Sequence, residues 1–148
     1  MSTVTVTHRY AHPAHQVFDA WLNPAKARRF LFATPTGTMV RAEIDARVGG
    51  RFLFTDRRPP MEGFDGGDID HVGEYLEIDP PRRLVFRFTV PKYTQVETTV
   101  TIEIVPEPRG CQLTLTHEGI DADFAHRTEH GWGMILTELE GVLAASLL

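Results

Sequence analysis

The chain has 148 residues, of which 42% are hydrophobic and 24% charged, a composition typical of one globular domain with a sizeable core. Its net charge of −5 and scattered arginines argue against binding to nucleic acid or to an anionic membrane. The sequence shows neither a signal-peptide pattern nor a long apolar span, and its one cysteine, Cys111, can form no internal disulfide, so we expect a cytoplasmic protein with a buried thiol.

The first third of the chain predicts a strand followed by two helices. The stretch STVTVTHRY is rich in β-branched residues and shows the alternation typical of a strand. Pro13 suits the first turn of a helix, and Val17, Phe18 and Trp21 then recur at helical spacing. Asn23-Pro24 should end that helix, and AKARRFLF predicts a short second one.

The middle of the chain predicts a meander of antiparallel strands. TMVRAEIDAR and RFLFTD are two strands joined by a tight turn at Gly49-Gly50. Residues 56–70, rich in Pro, Gly and Asp, predict a long loop that could act as a lid. Four more strands follow, in HVGEYLEI, RRLVFRFTV, VETTVTIEIV and CQLTLTHEG.

From Asp123, a suitable N-cap, the spacing of apolar residues changes to that of a long helix. Its apolar stripe consists of Trp132, Ile135, Leu136, Leu139, Val142 and Leu143. We therefore predict an α+β fold, one domain over residues 1–148, in which the apolar face of a curved sheet packs on this helix. One helix cannot fill the concave side of such a sheet, so we expect a cavity between the sheet and the helix.

Five segments, in this order, resemble the heat-shock protein 90 ATPase activator-like branch of the START/SRPBCC superfamily. They are HRYAHPAHQVFDAWLNP, ARVGGRFLF, GEYLEIDPPRRLVFRF, LTLTHEGI and HGWGMILTELEGVL. The resemblance implies the helix-grip fold of birch-pollen-allergen-like proteins: six or seven antiparallel strands wrapped around a long C-terminal helix, with two short helices after strand 1. The family often has a tryptophan pair where this chain has RRFLF, so Phe30 and Phe32 stand in place of the indoles.

The stretch HRTEHGWG carries His126, Glu129 and His130 in the order H-x-x-E-H, the pattern of inverted zinc metalloproteases. On a helix, the two histidines share a face, but a catalytic zinc needs a third protein ligand. Glu138 and Glu140 follow in the same helix and point elsewhere. The stretch also coincides with the start of the family's helix, so we predict a structural role, no metal site and no cofactor.

Strand alternation predicts which side chains line the expected cavity. The candidate ligand-binding residues are Phe52, Phe54, Glu74, Leu76, Phe86, Phe88, Thr98, Val100, Leu115, His117, Trp132 and Leu136. The register over residues 73–78 is the least certain, because a bulge there would turn Tyr75 and Glu77 inward instead of Glu74, Leu76 and Ile78.

Three functions remain open on the sequence. The first is binding of a small hydrophobic or aromatic molecule in the cavity, without catalysis. The second is a cyclase- or hydrolase-type enzyme in which His117 and Glu74 act as a base and its orienting partner. The third, implied by the family resemblance, is an interaction module like a chaperone-ATPase activator. A homodimer is compatible with each of them.

Overall fold

The structure, a computed structural model, describes residues 1–145. Two short helices, α1 and α2, follow the first strand, and a long helix, α3, follows the last. The elements are β1 (Ser2–Tyr10), α1 (Ala14–Leu22), α2 (Pro24–Ala27), β2 (Thr38–Ile44), β3 (Arg51–Arg58), β4 (Gly67–Asp79), β5 (Arg83–Thr89), β6 (Thr98–Glu107), β7 (Gly110–Ile120) and α3 (Ala125–Ala145).

The strands of the described region form one antiparallel seven-stranded sheet in the order β1-β7-β6-β5-β4-β3-β2. Every neighbouring pair except β1–β7 is consecutive along the chain, as expected for a meander. On β7, the alternating residues Cys111, Leu113, Leu115 and His117 are buried. The predicted α+β helix-grip architecture is confirmed.

The apolar stripe of α3 packs on the inner face of this sheet. Its buried residues are Trp132, Leu136, Leu139, Val142 and Leu143. Tyr10 on β1 fixes the helix from the side, because its hydroxyl donates a hydrogen bond of 2.8 Å to the Leu136 carbonyl. No helix among residues 1–145 has the length and hydropathy needed to span a membrane.

The start of α3 differs from the prediction. Asp121, rather than Asp123, is the capping residue, and it caps a turn that precedes α3: its Oδ1 accepts a hydrogen bond of 2.9 Å from the Asp123 backbone N–H. Residues 122–124 then form a single 3₁₀ turn before the α-helix begins at Ala125. Asp121 and Asp123 are both good capping residues, so the pattern could not choose between them.

Strand β4 contains a bulge between Tyr75 and Glu77 that overturns the expected register. Tyr75 opposes Phe86 and is 3% exposed, and Ile78 opposes Leu84, so both point inward. Leu76 is 36% exposed, and Glu74 lies beside Arg87 on the outer face. The expectation that Glu74 and Leu76 line the interior is therefore wrong, because the extra residue shifts the alternation.

The connections on either side of β3 agree only in part with the predicted ones. The tight turn at Gly49-Gly50 is present, and Gly49 has a φ of 83°, which glycine adopts without strain. The long loop expected over residues 56–70 is shorter, because β3 continues to Arg58 and pairs there with Gly67 at the start of β4. The remaining loop, residues 59–66, contains a bridge between Met61 and Phe64.

Candidate functional site

The interior between β3, β4, β5 and α3 holds an aromatic cluster, which we define as Phe32, Phe52, Phe54, Phe88 and Trp132. All five side chains are buried. The Phe32 ring lies in the middle, with its centroid between 5.2 and 6.2 Å from those of the other four. Such ring contacts stabilise by about 0.5–1.5 kcal/mol each beyond burial.

His117 on β7 lies against one side of this cluster. The Trp132 indole N–H donates a hydrogen bond of 2.9 Å to Nδ1 of His117. Its Nε2 lies 2.7 Å from Oγ1 of Thr98. Since Nδ1 accepts a hydrogen bond, Nε2 carries the proton of the neutral ring, and this N–H donates a hydrogen bond to Oγ1 of Thr98. Desolvation by burial lowers the pKa of His117 to about 4, so the ring is neutral near pH 7.

The acid–base pair proposed from the sequence does not form. Glu74 lies on the outer face of the sheet, where its carboxylate is 3.6 Å from the guanidinium of Arg87. His117 points to the inner face, and both of its ring nitrogens are engaged within the protein. The geometry therefore leaves His117 without the orienting carboxylate that a general base of this kind uses.

A second histidine, His71 on β4, contacts the cluster at Phe32. Its ring stacks on Phe32 with centroids 4.4 Å apart and planes inclined by 13°. The side chain is 7% exposed, and its Nδ1 has no hydrogen-bond partner among the described residues. Desolvation lowers the pKa of His71 to about 4, and the Phe54 backbone and Asp56 offset only part of this effect.

Next to His71, Asp56 anchors the loop that carries Phe32. Asp56 is fully buried, and its Oδ2 is 2.8 Å from Nε of Arg58. The same oxygen accepts a hydrogen bond of 3.1 Å from the Thr34 hydroxyl. Gly37 packs so closely on the carboxylate that a Cβ there would collide with Oδ1. This carboxylate therefore joins residues 34–37 to β3.

The candidate residues fall into two groups. Those that point inward and are buried are Phe52, Phe54, Phe86, Phe88, Val100, Leu115, His117, Trp132 and Leu136, with Thr98 half-buried beside His117. Glu74 and Leu76 lie outside, as described above. Whether the buried residues line a cavity and contact a ligand stays a prediction.

Phe32, Asp56 and His71 are not among the site residues predicted from the sequence. For Asp56 a signal existed, since the alternation that turns Phe52 and Phe54 inward also turns Asp56 inward. His71 likewise shares a face with Ile69 and Tyr75, both buried. Phe32 lies in an irregular segment where alternation gives no signal, and the family resemblance marked it only as standing where a tryptophan is frequent.

The H-x-x-E-H stretch lies on the first turns of α3, at the surface. His126, Glu129 and His130 border a depression of about 510 Å³, together with Val6, Gly133, Met134, Thr137 and Glu138. Within residues 1–145, the His, Cys, Asp and Glu side chains form no group of three suited to a metal ion.

Cys111 is buried, as expected, and desolvation raises its pKa.

Another depression, of about 530 Å³, lies on the outer face of β2 to β5. Its polar lining consists of Glu43, Asp45, Arg51, Glu74, Arg87, Thr89 and Glu97. Gly73 lies at its floor, where the Phe52 ring covers it from the inside. Its charges are mixed, in contrast to the aromatic interior.

Comparison with known proteins agrees with this architecture. Residues 11–144 match the family described as activator of Hsp90 ATPase homolog 1-like protein. The chain belongs to this family. Its fold is accordingly the helix-grip fold of the START/SRPBCC superfamily, as the resemblance implied. No curated protein matches the sequence.

Solved structures of similar fold come from several bacteria. A protein from Nitrosomonas europaea is 22% identical over 97% of this chain and 95% of its own, with a TM-score of 0.80. The AHSA1-like protein from Aeromonas hydrophila is 21% identical, over 98% of this chain and 94% of its own, with a TM-score of 0.79. CalU16 from Micromonospora echinospora is 21% identical over 98% of this chain and 78% of its own, with a TM-score of 0.70. At these identities the likeness shows the fold.

Proposed function

We propose that this protein binds a small aromatic or apolar molecule between the sheet and α3, at the aromatic cluster. The observation that carries the proposal is the pair of buried, neutral histidines that contact the cluster, His71 at Phe32 and His117 at Phe88. Nδ1 of His71 is buried without a hydrogen bond, which costs desolvation free energy that a core serving stability alone would avoid. An apolar site with a few placed polar groups is the usual character of a small-molecule site.

The two histidines divide the tasks of such a site. His117 is fully hydrogen-bonded to Trp132 and Thr98, so it fixes the indole and forms a rigid wall. His71 keeps a nitrogen with no partner among residues 1–145, so it is free to bond a ligand. The proposal therefore assigns positioning to His117 and recognition to His71, and no catalytic step to either.

The catalytic alternative lost its support when Glu74 proved to lie on the outer face. The chaperone-activator alternative rests on the family's description, and no contact described above bears on such a partner. Ligand binding is thus the function that the geometry supports best.

Native mass spectrometry tests the proposal. Freshly purified protein and the same sample after denaturation should differ by an organic mass, and incubation with toluene, phenol, indole and naphthalene should add such masses to the protein. A bare protein mass in both samples, with no aromatic compound bound at millimolar concentration, would contradict it. A bound zinc ion would instead indicate a metal site at His126 and His130.

A further inference from the structure

The Phe32 ring fills the middle of the aromatic cluster. Phe32 belongs to the irregular segment between α2 and β2, residues 28–37, which we call the Phe32 loop. Its side chain enters the interior from this loop and contacts Phe52, Phe54, Phe88 and Trp132 as well as His71. Only 7% of it is exposed.

The backbone at Phe32 is strained. Its φ of 60° lies in the left-handed region, and among residues 1–145 no other non-glycine residue has a positive φ. A bulky side chain in that region costs roughly 1–2 kcal/mol, so surrounding contacts must hold it there. Strain of this kind is concentrated at functional sites, and it lowers the cost of moving the residue.

A few polar contacts hold the Phe32 loop. The Thr34 hydroxyl donates to Asp56, and an Arg28 guanidinium N–H donates to the Met39 carbonyl over 2.7 Å. The loop forms no part of the sheet. Movement of Phe32 out of the interior would therefore break none of the pairs between β2 and β3.

Beneath the Phe32 ring, His71 offers a nitrogen that phenylalanine cannot satisfy. The side chain is more than nine-tenths buried, and Nδ1 has no partner in the described part of the chain. In a neutral imidazole this nitrogen is either a donor or an acceptor, depending on the tautomer. A hydroxyl group satisfies both cases, because it can donate and accept.

We infer that the Phe32 ring is a built-in occupant of a ligand subsite, and that the subsite takes a planar aromatic molecule carrying a hydroxyl group. The ligand ring replaces Phe32 against His71 and Trp132, and its hydroxyl bonds Nδ1 of His71. This inference rests on the proposed function and names its ligand class. It also makes Phe32 a competitor of the ligand.

The test measures binding of phenol and toluene by NMR titration to wild type, Phe32→Ala, Phe32→Ala/His71→Phe and the control Phe30→Ala. Phe30 is a matched control because it belongs to the same loop and is fully buried, but its ring packs edge-on against Trp21, with centroids 5.2 Å apart. Phe32→Ala should bind phenol at least about tenfold more tightly than wild type, since the competing ring is gone. It should prefer phenol to toluene by about fivefold, as one net hydrogen bond allows.

The double variant should lose that preference and retain toluene binding. Equal binding of phenol and toluene by Phe32→Ala, as in Phe30→Ala, would overturn the inference, as would no binding at all. If Phe32→Ala does not fold, Phe32→Leu, which keeps most of the apolar volume, should show a smaller gain with the same preference. An organic ligand on wild type combined with a phenol-indifferent Phe32→Ala would leave the proposed function intact and remove this inference. If Phe32→Ala prefers phenol but the wild type binds no ligand, the Phe32 subsite would stand and the proposed function would be contradicted.

Discussion

Phe32 and His71 stack nearly parallel, with ring centroids 4.4 Å apart, although they come from an irregular loop and from the middle of a strand. The pair joins the one strained non-glycine backbone position among residues 1–145 to a buried imidazole with an unpaired nitrogen. Both features cost stability, and both lie at the aromatic cluster. That coincidence is the reason for proposing a ligand site at the cluster.

Glycine should be tolerated at position 32 at least as well as alanine. Removing the ring should cost about 3–5 kcal/mol in either case, because it leaves a cavity. Glycine then recovers roughly 1 kcal/mol by adopting the positive φ without strain. Urea unfolding of Phe32→Gly and Phe32→Ala measures the difference. At Phe30, whose φ is not positive, glycine should instead be worse than alanine by about 0.5 kcal/mol, and the same order at both positions would refute backbone strain at Phe32.

Stability should fall as the pH is lowered from about 6.5 to about 4. Folding depresses the pKa of both His71 and His117 from 6.5 to about 4, so the unfolded chain binds more protons in this window. The free energy of unfolding therefore rises with pH across it, by up to about 3 kcal/mol per histidine. Urea unfolding at several pH values should show this slope.

The slope can be assigned with variants. His71→Phe should reduce it by about half, because His117 still contributes the rest. A slope that His71→Phe does not alter would mean that the acid sensitivity comes from other groups.

Thr98→Val should destabilise the protein by about 1–2 kcal/mol at pH 7, because it leaves Nε2–H of His117 buried without an acceptor. Thr99→Val is the control, since Thr99 is the next residue on the same strand and faces the opposite side of the sheet. It should be neutral within about 0.5 kcal/mol. Equal effects in thermal or urea unfolding would argue that the Thr98 hydroxyl does not bond His117.

Gly73→Ala should be strongly destabilising, by about 1–3 kcal/mol or more. A Cβ at Gly73 would collide with the Phe52 ring and with the Arg87 carbonyl oxygen, and the latter belongs to the backbone of the paired strand. By contrast, Gly141→Ala in α3 should stabilise by about 0.5–1 kcal/mol, because, apart from its chain neighbours and the backbone of α3 itself, no described atom lies within 4 Å of the added methyl group. A neutral Gly73→Ala would mean that Phe52 does not lie over the glycine.

Much of the fold could be predicted because its periodic patterns are long. The inward residues of β7 and the stripe of α3 repeat over three or more positions, so one local irregularity does not hide them. The β4 bulge could not be placed, since Glu74, Tyr75 and Leu76 all fit a strand and only the pairing with β5 selects Tyr75. Position 32 is a further case, because a phenylalanine in the left-handed region is held by tertiary contacts that local preference does not encode.

The two tryptophans allow the most direct test of binding at the aromatic cluster. Trp132 lies in the cluster, whereas Trp21 lies on α1 against Phe30, so their indole N–H groups report on two parts of one core. In ¹H–¹⁵N NMR spectra of the wild type titrated with phenol, the Trp132 indole signal should shift saturably while the Trp21 signal stays in place. If the Trp21 signal moves alone, or if phenol shifts surface residues only, the cluster between the sheet and α3 is not the ligand site.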